Sequence, residues 1–406
     1  MTLDKKKKIK ITIVRLLFPI IVLLILVCGA YYGVNEGKWE RIDFENRMTN
    51  HRAAWSGSTW MSGNYQKDLN TALADQLPFA TDAREKYYWF TNGVLYEVQK
   101  RIFTFTDYYV RFRKGVYLYG DKEKPYMLYS MSSEETKCKL DTIAWKINDV
   151  AKRNPQASFY VYYIEEESDV HLDNNVRWGG YEYLCMRLSL PSKHVNRLKI
   201  GSFDDFKRYY YRTDHHWKHS GSYKGYRDIF ELLELSSQGE APVPCGDAVL
   251  VSSMHHGSKN WGAASGSKFQ EDFYAYDYKF VPMRITYNGN DTIYGHEREY
   301  LSCKNMSELY TKKYGDFYGF DEGELIFDTG RDKRPNILIM GDSFDNAILK
   351  ILAGHYNKTF SVDLRWYERQ KGKAFNMTDY IRKNNIATVL FCGNSGFFIS
   401  PNFRNF

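Results

Sequence analysis

The apolar positions of this chain fall into a few distinct patterns, and each predicts a different element. Leu16 to Val34 (LLFPIIVLLILVCGAYYGV) is an uncharged apolar run of 19 residues. At ~1.5 Å rise per residue such a helix just spans a hydrocarbon core of ~30 Å, and Pro19 lies in the first turns, where a membrane helix tolerates it. Further on, Leu69, Leu73 and Leu77 recur at four-residue steps, which predicts a helix over Tyr65–Leu77 ended by Pro78. Val110 to Gly120 ends in a strand-like VYLY run, Thr142 to Arg153 reads as a helix, and Ala157 to Ile164 (ASFYVYYI) reads as a buried strand.

The strongest periodicity lies near the C-terminus. Asn336–Met340 (NILIM) has the all-apolar character of a parallel strand, and Asp345–His355 carries Ile348, Leu349, Ile351 and Leu352 as a helical face. Thr359–Asp363 is a second strand, Met377–Asn384 a second helix and Ala387–Cys392 a third strand. Strand, helix, strand, helix, strand with short links predicts right-handed crossovers and a parallel sheet flanked by helices, an α/β fold. Functional side chains in such sheets gather at the carboxyl ends of the strands.

Charge divides the chain. Of the net +7, the first fifteen residues contribute +5, leaving +2 for the rest; a nucleic-acid-binding groove loses its support, and no nucleic-acid partner is expected. The lysines before the apolar run fix its cytoplasmic end. The expected organisation is a cytoplasmic basic tail (1–15), a transmembrane anchor (16–34), a linker (35–44) and an extracytoplasmic domain (45–406) at the cell membrane. A cleaved signal peptide would want small residues where Gly29-Ala30 is followed by Tyr31-Tyr32, and a lipid anchor at Cys28 would want a smaller neighbour than Val27. A hydrophobic share of 43% and an aromatic share of 17% exclude a disordered or coiled-coil chain. Cys138, Cys185, Cys245, Cys303 and Cys392 lack the close spacing of a zinc or redox pair, and Cys392, inside an apolar run, reads as a buried free thiol.

Two segments carry candidate chemistry. Gly341-Asp342-Ser343-Phe344 follows the NILIM strand and opens the next helix, so Ser343 is either an exposed nucleophile near unpaired helix-terminal amides or a helix N-cap. Asp214-His215-His216-Trp217 offers the base: Asp214 can reach His216 from one face of an extended segment or through a tight turn, and His215 would then point away. Rival readings of that segment are a metal site with Asp214, His215 and His216 as ligands, or a solvated polar loop. His255-His256 is the only other close histidine pair and sits in a stretch that reads as a loop. Arg365 comes directly after the second strand, where it would hold an acidic sugar, brace an acyl oxygen, or form an ion pair with Asp342 or Asp363. Trp217 would stack on a sugar face or pack to fix the loop.

Together, Asp214–Trp217 and the downstream Gly341–Phe344 resemble the DHHW family of SGNH-hydrolase-like proteins, the group of the alginate O-acetylation proteins AlgJ and AlgX. Looser similarity covers Glu45-Asn46-Arg47, Asp75-Gln76-Leu77-Pro78, Gly115–Tyr119, Gly266-Ser267 and Val362–Arg365, about residues 45–400 in all. The resemblance implies a Ser343, His216, Asp214 triad in permuted order, with Asp-x-His before the serine. It implies acetyl transfer to a polysaccharide acceptor, with the acetyl group delivered by an MBOAT-type membrane acyltransferase as partner, and neither metal nor cofactor. Asn394 is the candidate for the family's oxyanion asparagine, with Arg365 and Trp217 as further oxyanion or substrate candidates. Lys218 departs from the small hydroxyl residue usual after the tryptophan. A carbohydrate acetylesterase with the same triad and a non-catalytic polysaccharide-binding or scaffold subunit are the alternatives.

Overall fold

In the computed structural model, residues 16–29, 31, 40–45, 47–50, 55–76, 79–102, 116–120, 124–129, 135–170, 172, 177–263, 270–296 and 313–404 are described. The lysine-rich tail, the first half of the linker (35–39), the Gly266-Ser267 loop and Cys303 lie outside them. The chain divides into two compact units, residues 1–99 with 261–266 and residues 100–260 with 267–406. In the first, residues 16–29 are helical, and among the described residues no helix is long and apolar enough to cross a membrane. The leucine-spaced segment forms the helix Asn64–Gln76, followed by Ala80–Ile102. The buried Asp75 carboxylate ties this unit together, accepting from the Asn50 backbone at 2.8 Å and from Arg84 at 2.9 Å.

The second unit is built on an eight-stranded sheet. In chain order its strands are β1 (Ser158–Ile164), β2 (Val195–Leu198), β3 (Arg284–Tyr287), β4 (Asn290–Asp291), β5 (Glu324–Asp328), β6 (Asn336–Met340), β7 (Lys358–Val362) and β8 (Ile386–Gly393). In space they run β4-β3-β5-β7-β6-β8-β1-β2. From β7 through β6, β8 and β1 to β2 every pairing is parallel, whereas β5, β3 and β4 extend the β7 edge antiparallel. The expected parallel α/β sheet is therefore the heart of a larger mixed one.

Two-residue alternation explains why its strands read as unbroken apolar runs. Tyr160, Tyr162, Ile337, Ile339, Leu390 and Cys392 pack into one core, while Phe159, Val161, Leu338, Met340, Val389 and Phe391 pack into another. Neither face is left for water. Cys392 is buried and free, as its apolar neighbours imply.

Two elements differ from the sequence reading. The helix expected over Asp345–His355 is broken: a 3-10 turn at Asp345–Ala347 gives way at Ile348 to a short α-helix, Leu349–Ala353. Polar tethers hold the turn, with Tyr294 donating to Asn346 at 2.7 Å and Asn346 donating to the Gly319 carbonyl at 3.1 Å. A helix not expected, Leu364–Lys371, follows β7 directly, capped by the Asp363 side chain. The second expected helix is Met377–Lys383.

Candidate active site

Ser343 stands three residues past the end of β6, in the turn before the 3-10 segment. Asp342 shapes the turn, its side chain accepting from the Phe344 amide at 3.1 Å and its carbonyl from the Asp345 amide at 3.1 Å. Only glycine fits before it, since a Cβ on Gly341 would come within 2.0 Å of an Asp345 carboxylate oxygen. The N-cap reading of Ser343 is excluded: Phe344 occupies that position and no side chain caps the turn.

Asp214, His215 and His216 lie in a loop closed by the Tyr210–Trp217 bridge. Of the two geometries open to this segment, the chain takes the tight turn. Asp214 Oδ1 accepts from the His216 backbone amide at 3.2 Å and lies 2.8 Å from His216 Nδ1. His216 Nε2 is 2.8 Å from Ser343 Oγ, so acid, imidazole and alcohol form one continuous hydrogen-bonded chain.

Close packing holds the loop in this shape. A Cβ on Gly257 would come within 2.3 Å of the Asp214 backbone nitrogen. The Thr213 amide and hydroxyl both donate to Glu271, and the Thr213 carbonyl accepts from the Lys259 and Asn260 amides at the start of the helix Ser258–Ala263. Lys259, fully buried, pairs with the equally buried Glu167.

Trp217 has 0% exposure, donates to the Tyr314 hydroxyl at 3.1 Å, and is covered by the helix His219–Leu232, where a Cβ on Gly225 would come within 2.6 Å of its ring. That corrects the sugar-stacking candidate: a fully buried ring meets no substrate, and Trp217 fixes the loop by packing.

Several contributors escaped the sequence reading. The Tyr314 ring stacks on His216 with centroids 3.9 Å apart and planes within 8°. Its hydroxyl donates to the Phe344 carbonyl at 3.3 Å, joining the two motif segments. His255, read as part of a loop, is buried at the end of the strand Ala248–His255, with Nε2 3.3 Å from Asp214 Oδ2. Ser258 Oγ donates to Asp214 Oδ1 at 3.1 Å. His215 does not point away: its Nδ1 lies 3.2 Å from Asp214 Oδ1 and also meets Ser258 Oγ. The tight turn bends both imidazoles back onto one carboxylate, where an extended strand would have separated them. No periodicity marks such contacts, because they arise between distant segments.

Electrostatics divide the two imidazoles. Burial opposes ionisation of Asp214, but the surrounding imidazoles outweigh it and hold the carboxyl well below the usual range. Burial, reinforced by the charge of His215, pushes His216 down to about 4 against the pull of Asp214. Burial also opposes charge on His215, yet its bond to Asp214 prevails and raises it. A neutral His216 is fit to take a proton, and of the two rings His215 is the one whose surroundings favour charge. Asp214, His215 and His216 also bring ligand atoms within 4.8 Å of one another, close enough for a metal ion. The first of these and His216 Nε2, however, already have partners within the triad.

Ser343 borders a cleft of about 220 Å³ shared with His215, Asp342, Arg365, Asn394 and Asn402. Arg365 forms an ion pair there with Asp363 at 2.6 Å and with Asp321 at 2.8 Å, not with Asp342. Burial raises Asp363 to about 6 in spite of that guanidinium. Asn394 caps the helix Ser395–Ile399 through its side-chain oxygen, accepting from Phe397, and donates to Glu166 at 2.9 Å. Burial and the neighbouring Glu167 charge raise Glu166 to about 7.

Among solved structures, a DHHW family protein from Eubacterium siraeum superposes with a TM-score of 0.54 at 14% identity, covering 71% of this chain and 93% of that one. The fold is similar to that of a DHHW family protein. PatB1 of Bacillus cereus, solved with a sulfonyl adduct, matches with a TM-score of 0.52 at 18% identity over 71% of this chain and 98% of its own. The O-acetyltransferase domain of Pseudomonas putida AlgJ matches more loosely, with a TM-score of 0.39 at 10% identity over 71% of this chain and 93% of that domain. Neither a family model nor a curated protein matches the sequence. The DHHW resemblance carried by two short motifs thus extends to the fold.

Proposed function

We propose that the chain is a membrane-anchored O-acetyltransferase acting outside the cell membrane on hydroxyls of an exported polysaccharide. The observation that carries the reading is the 2.8 Å approach of His216 Nε2 to Ser343 Oγ, with Asp214 2.8 Å behind the same ring. Ser343 attacks a donor acetyl carbon while His216 takes its proton, and Asp214 stabilises the resulting imidazolium. His216 then returns the proton to the leaving group. A sugar hydroxyl next attacks the acetyl-Ser343 ester, giving its proton to His216, and His216 returns that proton to Ser343 Oγ as the ester bond breaks. The negatively charged intermediate is met by the Ser343 amide, with Asn394 as a further donor.

The DHHW resemblance supports acetyl as the transferred group, and the lysine-flanked apolar run supports the anchor. An anchored enzyme suits a donor that an MBOAT-type partner delivers through the bilayer.

The test compares cells with wild-type protein and Ser343→Ala by acetyl analysis of the exported glycan. Acetyl content falls in the variant if the reading is right; a rise would make the protein an acetylesterase, and no change would leave a binding subunit. With purified protein and 4-nitrophenyl acetate, Ser343→Ala and His216→Ala should each lose at least ~10³-fold in turnover, since triad members act as a unit. A chelator should leave turnover intact; loss restored by zinc would move the reading to metal chemistry.

A further inference from the structure

We infer that His215 is a second catalytic imidazole, donating from Nε2 to the alcohol oxygen that leaves in the first half-reaction and arrives in the second. The inference rests on Ser343 as nucleophile and adds a residue to that site.

Three observations carry it. His215 borders the same cleft as Ser343, and its side chain is 31% exposed where that of His216 is 11%. Its Nδ1 is committed to Ser258 and Asp214, leaving Nε2 as the atom available to a substrate. Its ring lies 3.8 Å from the His216 ring and meets Phe344 edge-on at 5.8 Å, which fixes it beside the base.

The alcohol oxygen must come within ~2.6–3.2 Å of His216 Nε2 to exchange a proton with it. Tyr314 and Phe344, the other rings against His216, are 3% and 1% exposed, so the open approach to the base runs past His215. A donor there stabilises the negative charge that builds on the alcohol oxygen as its bond to the acyl carbon breaks. His216, not His215, delivers the proton to the leaving oxygen; in the second half-reaction the incoming hydroxyl gives its proton to His216 as the new bond forms, and His216 passes it to Ser343 Oγ as that bond breaks. His215 lends a hydrogen bond and exchanges no proton. Its Nδ1 is held by Ser258 and Asp214, and the pull of Asp214 favours the protonated ring, which suits it to that work.

The distinguishing experiment is leaving-group dependence. Nitrophenolate is a stable anion and needs little help, whereas the alkoxide of an alkyl ester needs much. Wild type, His215→Ala and His215→Gln are compared by kcat/KM on 4-nitrophenyl, phenyl and ethyl acetates. The inference expects His215→Ala to lose about tenfold more on ethyl acetate than on 4-nitrophenyl acetate, the effect of one charge-assisted hydrogen bond. His215→Gln, which retains an N–H, should recover part of that difference. Equal losses along the series would reduce His215 to a structural support of Asp214 and overturn the inference, as would no loss at all. Full activity in Ser343→Ala would instead remove the underlying reading, so the two failures are separable.

Discussion

His255 Nε2 lies 3.3 Å from Asp214 Oδ2, on the opposite carboxylate oxygen from the one that holds His216. The Asp214 carboxylate therefore faces an imidazole on each side. His255→Phe should lower esterase turnover by about tenfold or more, because an unpaired carboxylate oxygen in a buried site costs ~1–3 kcal/mol and loosens the acid. Asp214→Asn should cost far more, ~10⁴-fold, since it favours the wrong imidazole tautomer. Steady-state kinetics on 4-nitrophenyl acetate give the ranking, and equal losses in the two variants would contradict it.

The depressed basicity of His216 predicts a pH profile. On the proposed mechanism His216 works only when neutral, and with its folded value at about 4 it stays neutral well below the ordinary imidazole range. Wild-type kcat/KM should hold to about pH 5 before falling. Burial is the larger cause and would persist in His215→Ala, but the repulsion from a charged neighbour would vanish, so the acidic limb should move upward. A limb unmoved by that substitution would show that the neighbouring charge does not reach the base.

Tyr314 tests positioning without touching the reacting atoms. Tyr314→Phe keeps the stack on His216 and loses only the hydroxyl bridge between Trp217 and the Phe344 carbonyl. Tyr314→Leu also removes the flat partner. Turnover should fall severalfold in the first variant and ~10²-fold in the second, because a base displaced by about 1 Å loses that much. Circular dichroism would confirm folding in both.

Arg365 makes a prediction about stability. Its guanidinium spans Asp363 and Asp321, so Arg365→Ala leaves two carboxylates facing each other, one of them buried. The melting temperature should drop by a few degrees, and Arg365→Lys should restore little of it, since an ammonium cannot reproduce a planar fork. Adding Asp321→Asn should recover part of the loss. An unchanged melting temperature in Arg365→Ala would leave the arginine free for substrate.

The legible parts of the fold were those set by local sequence. Asn336–Met340 reads as a buried strand because no residue in it tolerates water, and Ser343 stands out because a strand, a glycine and a turn precede it. The alcohol and the imidazole could be named from their motifs, but their meeting could not, as nothing in either segment encodes a partner 127 residues away. The broken helix after Ser343 reads as one helix because its apolar face is intact; the polar tethers that interrupt it come from Tyr294 and Gly319. The antiparallel extension β3, β4 and β5 was missed for a related reason. Arg284–Tyr287 and Asn290–Asp291 are short and polar, and become strands only by pairing on an existing edge.

β8 is the latest of the eight strands to leave the ribosome, yet it is flanked by β6 on one side and β1 on the other. A premature stop upstream of it would not trim a border; it would split the sheet into two fragments, with Ser343 on one and the acidic residues that follow β1, Glu165 to Glu167, on the other. The interior can therefore close only once β8 has joined the two halves of the sheet, however early each half is made.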